Sequence, residues 1–269
     1  MTRNDRIQIR YTITFASPFH LGTGIRAGLI DRTVIRDAEG YLYVPASTIK
    51  GVLRDHCEQL CHFYLPSEQA TSPHDGYAAL TGFSGTPTLI SRIFGSPIYP
   101  GRLHFNDAEQ TQDARFLYEG RDTENERQEK GKYKGVQTSI STQVRLDRLT
   151  RTAVSEALYT SEFGIRDLVF KGAIDGWLEC TSIETLTVTG QDETIYTGTP
   201  TYSLLLLLAG LLMLERLGGN KSTGKGQCTC SITAVTIGKL RCKEEQWRSW
   251  LEHLDVLTTY SSSQARRQS

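Results

Sequence analysis

The chain has 269 residues, 38% hydrophobic and 22% charged, and its 30 basic and 30 acidic side chains give a formal net charge of +0. That length holds one large core or two small ones, and the balance excludes a uniformly basic nucleic-acid binder while leaving room for a locally basic groove. The longest apolar run, Leu204 to Leu214, is too short to span a bilayer. The first six residues lack the apolar stretch of a signal peptide, and the six cysteines form no secreted-type framework, so reduced thiols in a cytosol and no membrane partner are expected.

Arg6 to Phe15 alternates. Ile7, Ile9, Tyr11, Ile13 and Phe15 share one side of a half-buried strand, and Gln8, Arg10, Thr12 and Thr14 share the other. Pro18 ends it, and a loose loop with Gly22, Gly24 and Gly28 leads to Asp31. Thr33 to Ile35 and Tyr41 to Val44 read as short strands around a turn at Asp37-Ala-Glu-Gly40. Ser47 is placed to cap a helix running to about Tyr64, with Ile49, Val52, Leu53, Cys57, Leu60 and Cys61 inward. Pro66 to Pro87 is rich in turn residues and reads as a surface insertion. Leu103 to Phe105 reads as a short strand. Gly120 to Lys134 is dense in charge and reads as a hairpin tip or a disordered loop. Val144 and Leu146 alternate with Arg145 and Asp147, as in a strand. Val169 to Cys180 regains strand character. Pro200 opens a helix from Thr201 to Leu217, apolar nearly all round. Cys228 to Ile237 reads as the last core strand, and Glu244 to Leu257 as an amphipathic helix with Trp247, Trp250, Leu251 and Leu254 inward. The order strand, helix, strands, helix, strand predicts an α+β fold with a ferredoxin-like core and long insertions, which is also the RNA-recognition-module topology.

The stretch Leu217-Gly-Gly-Asn-Lys-Ser-Thr-Gly-Lys-Gly226 nearly spells a P-loop. Gly226 stands where the pattern needs a hydroxyl for Mg²⁺. The stretch also follows a helix and precedes a strand, the reverse of the strand-to-helix context that aims a helix N-terminus at phosphates. Its glycines with Lys221 and Lys225 still suit a phosphate backbone, so a polymer is favoured over ATP. Ser47, Thr48, Lys50 and Arg54 put hydroxyls and cations at a helix start. They read either as a phosphate site or as a capped helix with a solvated basic edge. His20 reads as a structural histidine or as a nucleic-acid contact. Asp31 reads as a turn-stabilising residue or as a carboxylate that takes a proton or ligates Mg²⁺. Asp37 fits plain turn chemistry. His56, Cys57, Cys61 and His62, with His74 further on, have zinc-type residues, but no second paired-cysteine motif follows, so core packing is expected and no metal ligand is assigned. Cys228 and Cys230 share one strand face, also a packing pattern.

Several segments taken together resemble the RAMP superfamily of CRISPR effector proteins. They are Phe19-His-Leu-Gly-Thr-Gly24, Leu29-Ile-Asp-Arg-Thr-Val-Ile-Arg-Asp37, Tyr43-Val-Pro-Ala-Ser-Thr-Ile-Lys-Gly-Val-Leu-Arg54, Arg92-Ile-Phe-Gly95, Ser141-Thr-Gln-Val-Arg-Leu-Asp-Arg-Leu-Thr150 and the Gly218 to Gly226 loop. Within that superfamily the set is most similar to the repeated backbone subunit of type III complexes, the Csm kind. One departure is Pro45-Ala-Ser-Thr, where the family has Pro-Gly-Ser-Ser. The resemblance implies a modified ferredoxin-like (RRM-like) palm with a long β-hairpin thumb. It implies one domain over residues 1–269, with an insertion at about 66–100, the thumb at about 107–166, a C-terminal helix at 242–260 and a disordered tail at 261–269.

The resemblance further implies that His20, Ser47, Thr48, Lys50, Arg54, Arg145, Gly218, Gly219, Lys221, Gly224 and Lys225 contact RNA. The thumb candidate, Gly120 to Arg148, carries Arg127, Lys130, Lys132, Tyr133 and Lys134. Asp31 is implied as the residue that cleaves target RNA, with Mg²⁺ or another divalent metal. The implied partners are a CRISPR guide RNA, the target RNA, other RAMP subunits and a large signature subunit. A non-catalytic scaffold of the same complex and a guide-processing RNase are the alternatives. The first is separated by an Asp31 variant, and the second requires a histidine-based acid–base site.

Overall fold

The structure is a computed structural model that describes residues 4–65, 88–96, 99–112, 114–115, 137–147, 149–179, 200–238 and 240–260. The strands are β1 (Asn4–Phe15), β2 (Tyr43–Val44), β3 (Leu103–Phe105), β4 (Ala108–Gln110), β5 (Thr138–Leu146), β6 (Ala153–Gly164), β7 (Val169–Glu179), β8 (Cys228–Ile237) and β9 (Leu240–Cys242). The helices are α1 (Ala46–Tyr64), α2 (Leu89–Phe94), α3 (Tyr202–Leu212) and α4 (Glu244–Leu251).

The main sheet runs β2-β4-β7-β1-β8-β9, with β3 also on β7, and its ladders are antiparallel. β1, α1, the broken strand β3–β4, β7, α3 and β8 follow each other as in a βαββαβ unit. Their order across the sheet, β8-β1-β7 and then β3–β4, is the ferredoxin-like arrangement. The expected α+β palm is therefore present. Ile7, Ile9, Tyr11, Ile13 and Phe15 are buried as the alternation predicts, while Arg10 and Thr14 stay exposed. Gly172 faces Tyr11 across the β1–β7 ladder, and a Cβ there would overlap the tyrosine ring. α1 and α3 pack together over the sheet, and Gly210 permits their close approach because a Cβ there would come 2.7 Å from Cys57 Sγ.

β5 and β6 form a separate two-stranded hairpin between the second and third palm strands. Ile140, Val144, Leu146 and Leu158 on this arm are exposed. The thumb expected at about 107–166 is thus a hairpin of 138–164 among the described residues, because β4 pairs with β7 inside the palm.

Other expectations need correcting. Ser47 does not cap α1. The helix starts two residues earlier than a Ser47 cap requires, Pro45 is its N-cap without a side-chain hydrogen bond, and the Asp107 carboxylate takes the Ala46 N–H at 2.6 Å instead. Thr33 to Ile35 makes only isolated bridges, and the following strand shrinks to Tyr43–Val44. The helix after Pro200 stops at Leu212. Cys228 to Ile237 is followed by a further short strand, β9. The C-terminal helix breaks after Leu251 and resumes as a 3₁₀ turn over Leu254–Thr259. The segment 66–100 is no mere insertion at its far end, since Leu89, Ile90, Ile93 and Phe94 of α2 are buried in the core. Pro66 to Pro87, His74, Gly120 to Lys134 with Arg127, Lys130, Lys132 and Tyr133, and the tail 261–269 lie outside the described residues.

Cys57, Cys61, Cys228, Cys230 and Cys242 are buried and free. Burial pushes the Cys57 thiol well up and the Cys61 thiol to about 12, and both side chains pack in the hydrophobic core. Among the described residues no group of three or more His, Cys, Asp or Glu is disposed to hold a metal, and no helix is long and apolar enough to cross a membrane.

Candidate nucleic-acid interface at the base of the hairpin

The chain leaves β1 through an aromatic corner. Phe15 and Phe19 stack with centroids 3.8 Å apart, and Phe170 meets both edge-on. Phe19 then exchanges backbone hydrogen bonds with Gly164 at the end of β6. Gly164 must lack a side chain here, because a Cβ would overlap the Phe19 ring. The next residues run beside the segment that carries Asp31. Thr23 N–H donates to Thr33 O at 3.1 Å, and Ile35 N–H to Leu21 O at 2.8 Å.

Asp31 is fastened to β6 at two points. Its backbone N–H donates to Thr160 O at 2.9 Å, and its Oδ2 accepts from Thr160 N–H at 2.9 Å. Glu162 N–H closes the clamp on Arg32 O at 2.9 Å. Oδ2 is therefore committed to the fold, while among the described residues Oδ1 faces Arg26 Nε at 3.7 Å, a largely exposed partner. The Asp31 side chain is 34% exposed. It lines two adjoining cavities, one of about 510 Å³ with Arg26, Arg32, Arg145, Leu158 and Tyr159, and one of about 380 Å³ with His20, Gly22, Gly24, Arg32 and Thr33.

Beneath the loop lies a buried charge. Glu162 is 4% exposed, and its carboxylate accepts from Arg36 at 2.7 and 3.3 Å and from Val34 N–H at 3.0 Å. Burial alone would raise this carboxyl. The Arg36 hydrogen bonds, the Val34 N–H, the Arg36 charge and Thr138 outweigh it, so the group is held below its ordinary value. The Glu162 backbone carbonyl bonds His20 Nδ1 at 2.8 Å. A carbonyl only accepts, so Nδ1 carries a proton, and in the neutral ring the lone pair lies on Nε2.

The glycine-lysine loop docks against this assembly. Gly219 N–H donates to His20 O at 2.8 Å and Gly226 N–H to Pro18 O at 2.9 Å. Gly226 has φ 75°, and a Cβ on it would overlap Leu217 O, which is why no Ser or Thr stands there. Lys221 to Thr223 form a single 3₁₀ turn, and Lys225 Nζ rests 5.1 Å from the Phe163 ring centre.

The structure thus brings His20, Asp31, Arg145, Gly218, Gly219 and Lys225 around the foot of β6. Lys221 and Gly224 lie on the exposed part of the same loop. Ser47, Thr48, Lys50 and Arg54 form a second group at the start of α1. There Lys50 Nζ lies 5.6 Å from the Phe105 ring centre and Arg54 pairs with Glu58 at 3.1 Å. Asp37 is the turn residue expected, its Oδ1 accepting from Glu39 and Tyr41 N–H at 2.9 Å. Sequence reasoning missed Arg26, Arg32, Arg36, Tyr159 and Glu162. Only Arg32, adjacent to Asp31 in an arginine-bearing loop, carried a local signal.

A family model described as RAMPs, RAMP superfamily, matches residues 12–229. Among solved structures, a similar chain comes from the cryo-EM structure of the Type III-B Cmr-beta bound to cognate target RNA. The likeness covers 84% of this chain and 96% of that one, with 12% identity and a TM-score of 0.48. No curated protein matches the sequence.

Proposed function

The chain belongs to the RAMP superfamily, and from that premise we propose that it is an RNA-binding backbone subunit of a type III CRISPR ribonucleoprotein, and that Asp31 cleaves the target RNA. Its partners are a guide RNA along the palm and hairpin, the target strand opposite, neighbouring RAMP subunits and a large signature subunit. The observation that carries the cleavage reading is the division of labour within one carboxylate. Oδ2 is fixed by Thr160 N–H, and Oδ1 is left at the junction of two cavities lined by cations and glycines.

The chemistry needs little else. RNA brings its own nucleophile, the 2′-hydroxyl, so a protein that holds in-line geometry and moves one proton suffices. The 2′-oxygen bonds to phosphorus as the P–O5′ bond breaks. The hydroxyl proton passes to Asp31 Oδ1, and O5′ takes a proton from water, leaving a 2′,3′-cyclic phosphate and a 5′-hydroxyl. A divalent ion fits the donor set only in part. Asp31 Oδ1 is a hard oxygen ligand of the type Mg²⁺ takes together with substrate phosphates, and it belongs to no group of three or more His, Cys, Asp or Glu disposed to hold a metal among the described residues. Asp31 Oδ1 would hold such an ion, which would supply positive charge at the phosphate.

The test is target cleavage by the reconstituted guide complex with Mg²⁺, comparing wild type with Asp31→Asn. Asparagine keeps an oxygen for Thr160 N–H and removes the charge. Cleavage is expected to fall by about 10²- to 10⁴-fold, the usual worth of a general base, with target capture intact. Unchanged cuts would assign the chemistry elsewhere and leave a scaffold.

A further inference from the structure

Three arginines converge on the one carboxylate of the larger cavity. Arg26 and Arg32 come from the Asp31 loop, and Arg145 comes from β5. In a chain of zero net charge, this wall carries a local surplus of positive charge. Among the described residues no hydrogen bond or ion pair occupies the guanidinium of Arg32 or Arg145. Arg32 has a ring beneath it instead, with its guanidinium carbon 4.9 Å from the centre of Tyr159. Stacking of this kind restrains a planar guanidinium by its face and leaves the donors on its rim free for an anion. The backbone under Arg32 is also fixed, through Thr160 O on one side and Glu162 N–H on the other. The cavity, at about 510 Å³, is of the size that takes a small ligand, and exposed Leu158 gives it one apolar wall.

We propose that this cavity is a phosphate site for a single RNA strand, with Arg32 as its central ligand, Arg145 and Arg26 as flanking charges, and Tyr159 as the residue that positions Arg32. The inference rests on the cleavage reading for its location of the scissile phosphate, but not for the binding of phosphate itself. If a phosphate is held here, Asp31 Oδ1 and the Arg32 guanidinium reach the same group. The aspartate takes the proton and the arginine stabilises the charge that gathers on the non-bridging oxygens. A fork of donors suits that task better than a point charge.

The experiment measures two quantities on the same variants. The first is the salt dependence of binding of a fluorescein-labelled single-stranded oligoribonucleotide to the full-length chain. The second is single-turnover cleavage at saturating target in the reconstituted guide complex. Arg32→Ala is expected to reduce the slope of log K against log salt by about 0.7, the share of one phosphate on a single strand. It is also expected to slow cleavage by about 10²-fold. Arg32→Lys should keep the slope and recover only part of the rate. Arg248→Ala, on the remote helix α4, should behave as wild type. A wild-type slope in Arg32→Ala overturns the proposal, even if Asp31→Asn abolishes cleavage. A reduced slope in Arg32→Ala beside full cleavage by Asp31→Asn upholds the phosphate site and removes the catalytic reading.

Discussion

β1 and β5 are both antiparallel strands, yet they stand in opposite relation to water. In β1 five alternating side chains are each at most 1% exposed. In β5 no residue is buried, and Ile140 and Leu146 are 61% and 62% exposed. A two-stranded hairpin is marginal by itself, so this arm must be held by its foot. β6 records the change of regime, for Ser161 to Gly164 are buried and Leu158 is 68% exposed. Asp31 is fastened at Thr160, where the strand leaves the core. The candidate site therefore occupies the junction between a rigid palm and an arm built to meet something else.

The largest effect should come from the palm. Phe170 is fully buried edge-on against the stacked Phe15 and Phe19, at the corner from which the Asp31 loop departs. Phe170→Ala is expected to cost about 3–5 kcal/mol, measured by urea unfolding. Because the hairpin has no core of its own, it should lose protection in hydrogen exchange at the same denaturant concentration as β1. A hairpin that kept its protection after the palm melted would break the comparison.

The next effect tests the foot. Glu162→Gln keeps the shape and removes the charge that Arg36 answers. Arg36 is itself partly exposed, so the cost should lie at about 2–3 kcal/mol, below the range for a fully buried pair. The folded-state pKa of Glu162 is lowered, so its stabilisation is complete above the ordinary value of 4.5 and disappears as pH falls through the depressed value. Wild type should thus lose its advantage over Glu162→Gln on acidification below about pH 4.5. A gap between the two unfolding curves that stayed constant with pH would remove the ion pair from the account.

The same contrast explains what the sequence makes legible. Alternation against a core is a strong local signal, and β1 from Arg6, β3 and β8 lie where the pattern places them. The hairpin has no such one-sided burial, so Val144 and Leu146 reveal a strand without revealing its partner. Asp31 and His20 were singled out through a resemblance spread along the chain, and the glycine loop by its own glycines and lysines. Tyr159 and Glu162 were not, because each meets its arginine from a distant part of the sequence. The Ser47 cap failed for a related reason, since a remote carboxylate, Asp107, reaches the first turn of α1 before a local hydroxyl is needed.

The smallest effect on stability should fall on the arm, and it discriminates best. Val144 and Leu158 face each other across the hairpin, 46% and 68% exposed. Replacing both by serine removes little buried area, so unfolding should shift by no more than about 0.5 kcal/mol. If the arm enters a guide–target duplex, however, these side chains are the apolar surface that meets unstacked bases, and their loss falls on RNA alone. 2-Aminopurine placed along the target should then lose its enhanced fluorescence at the distorted positions in the double variant, although the complex assembles normally. A double variant that unfolded early instead would mean that the hairpin carries its own stability, and the division between palm and arm would fail.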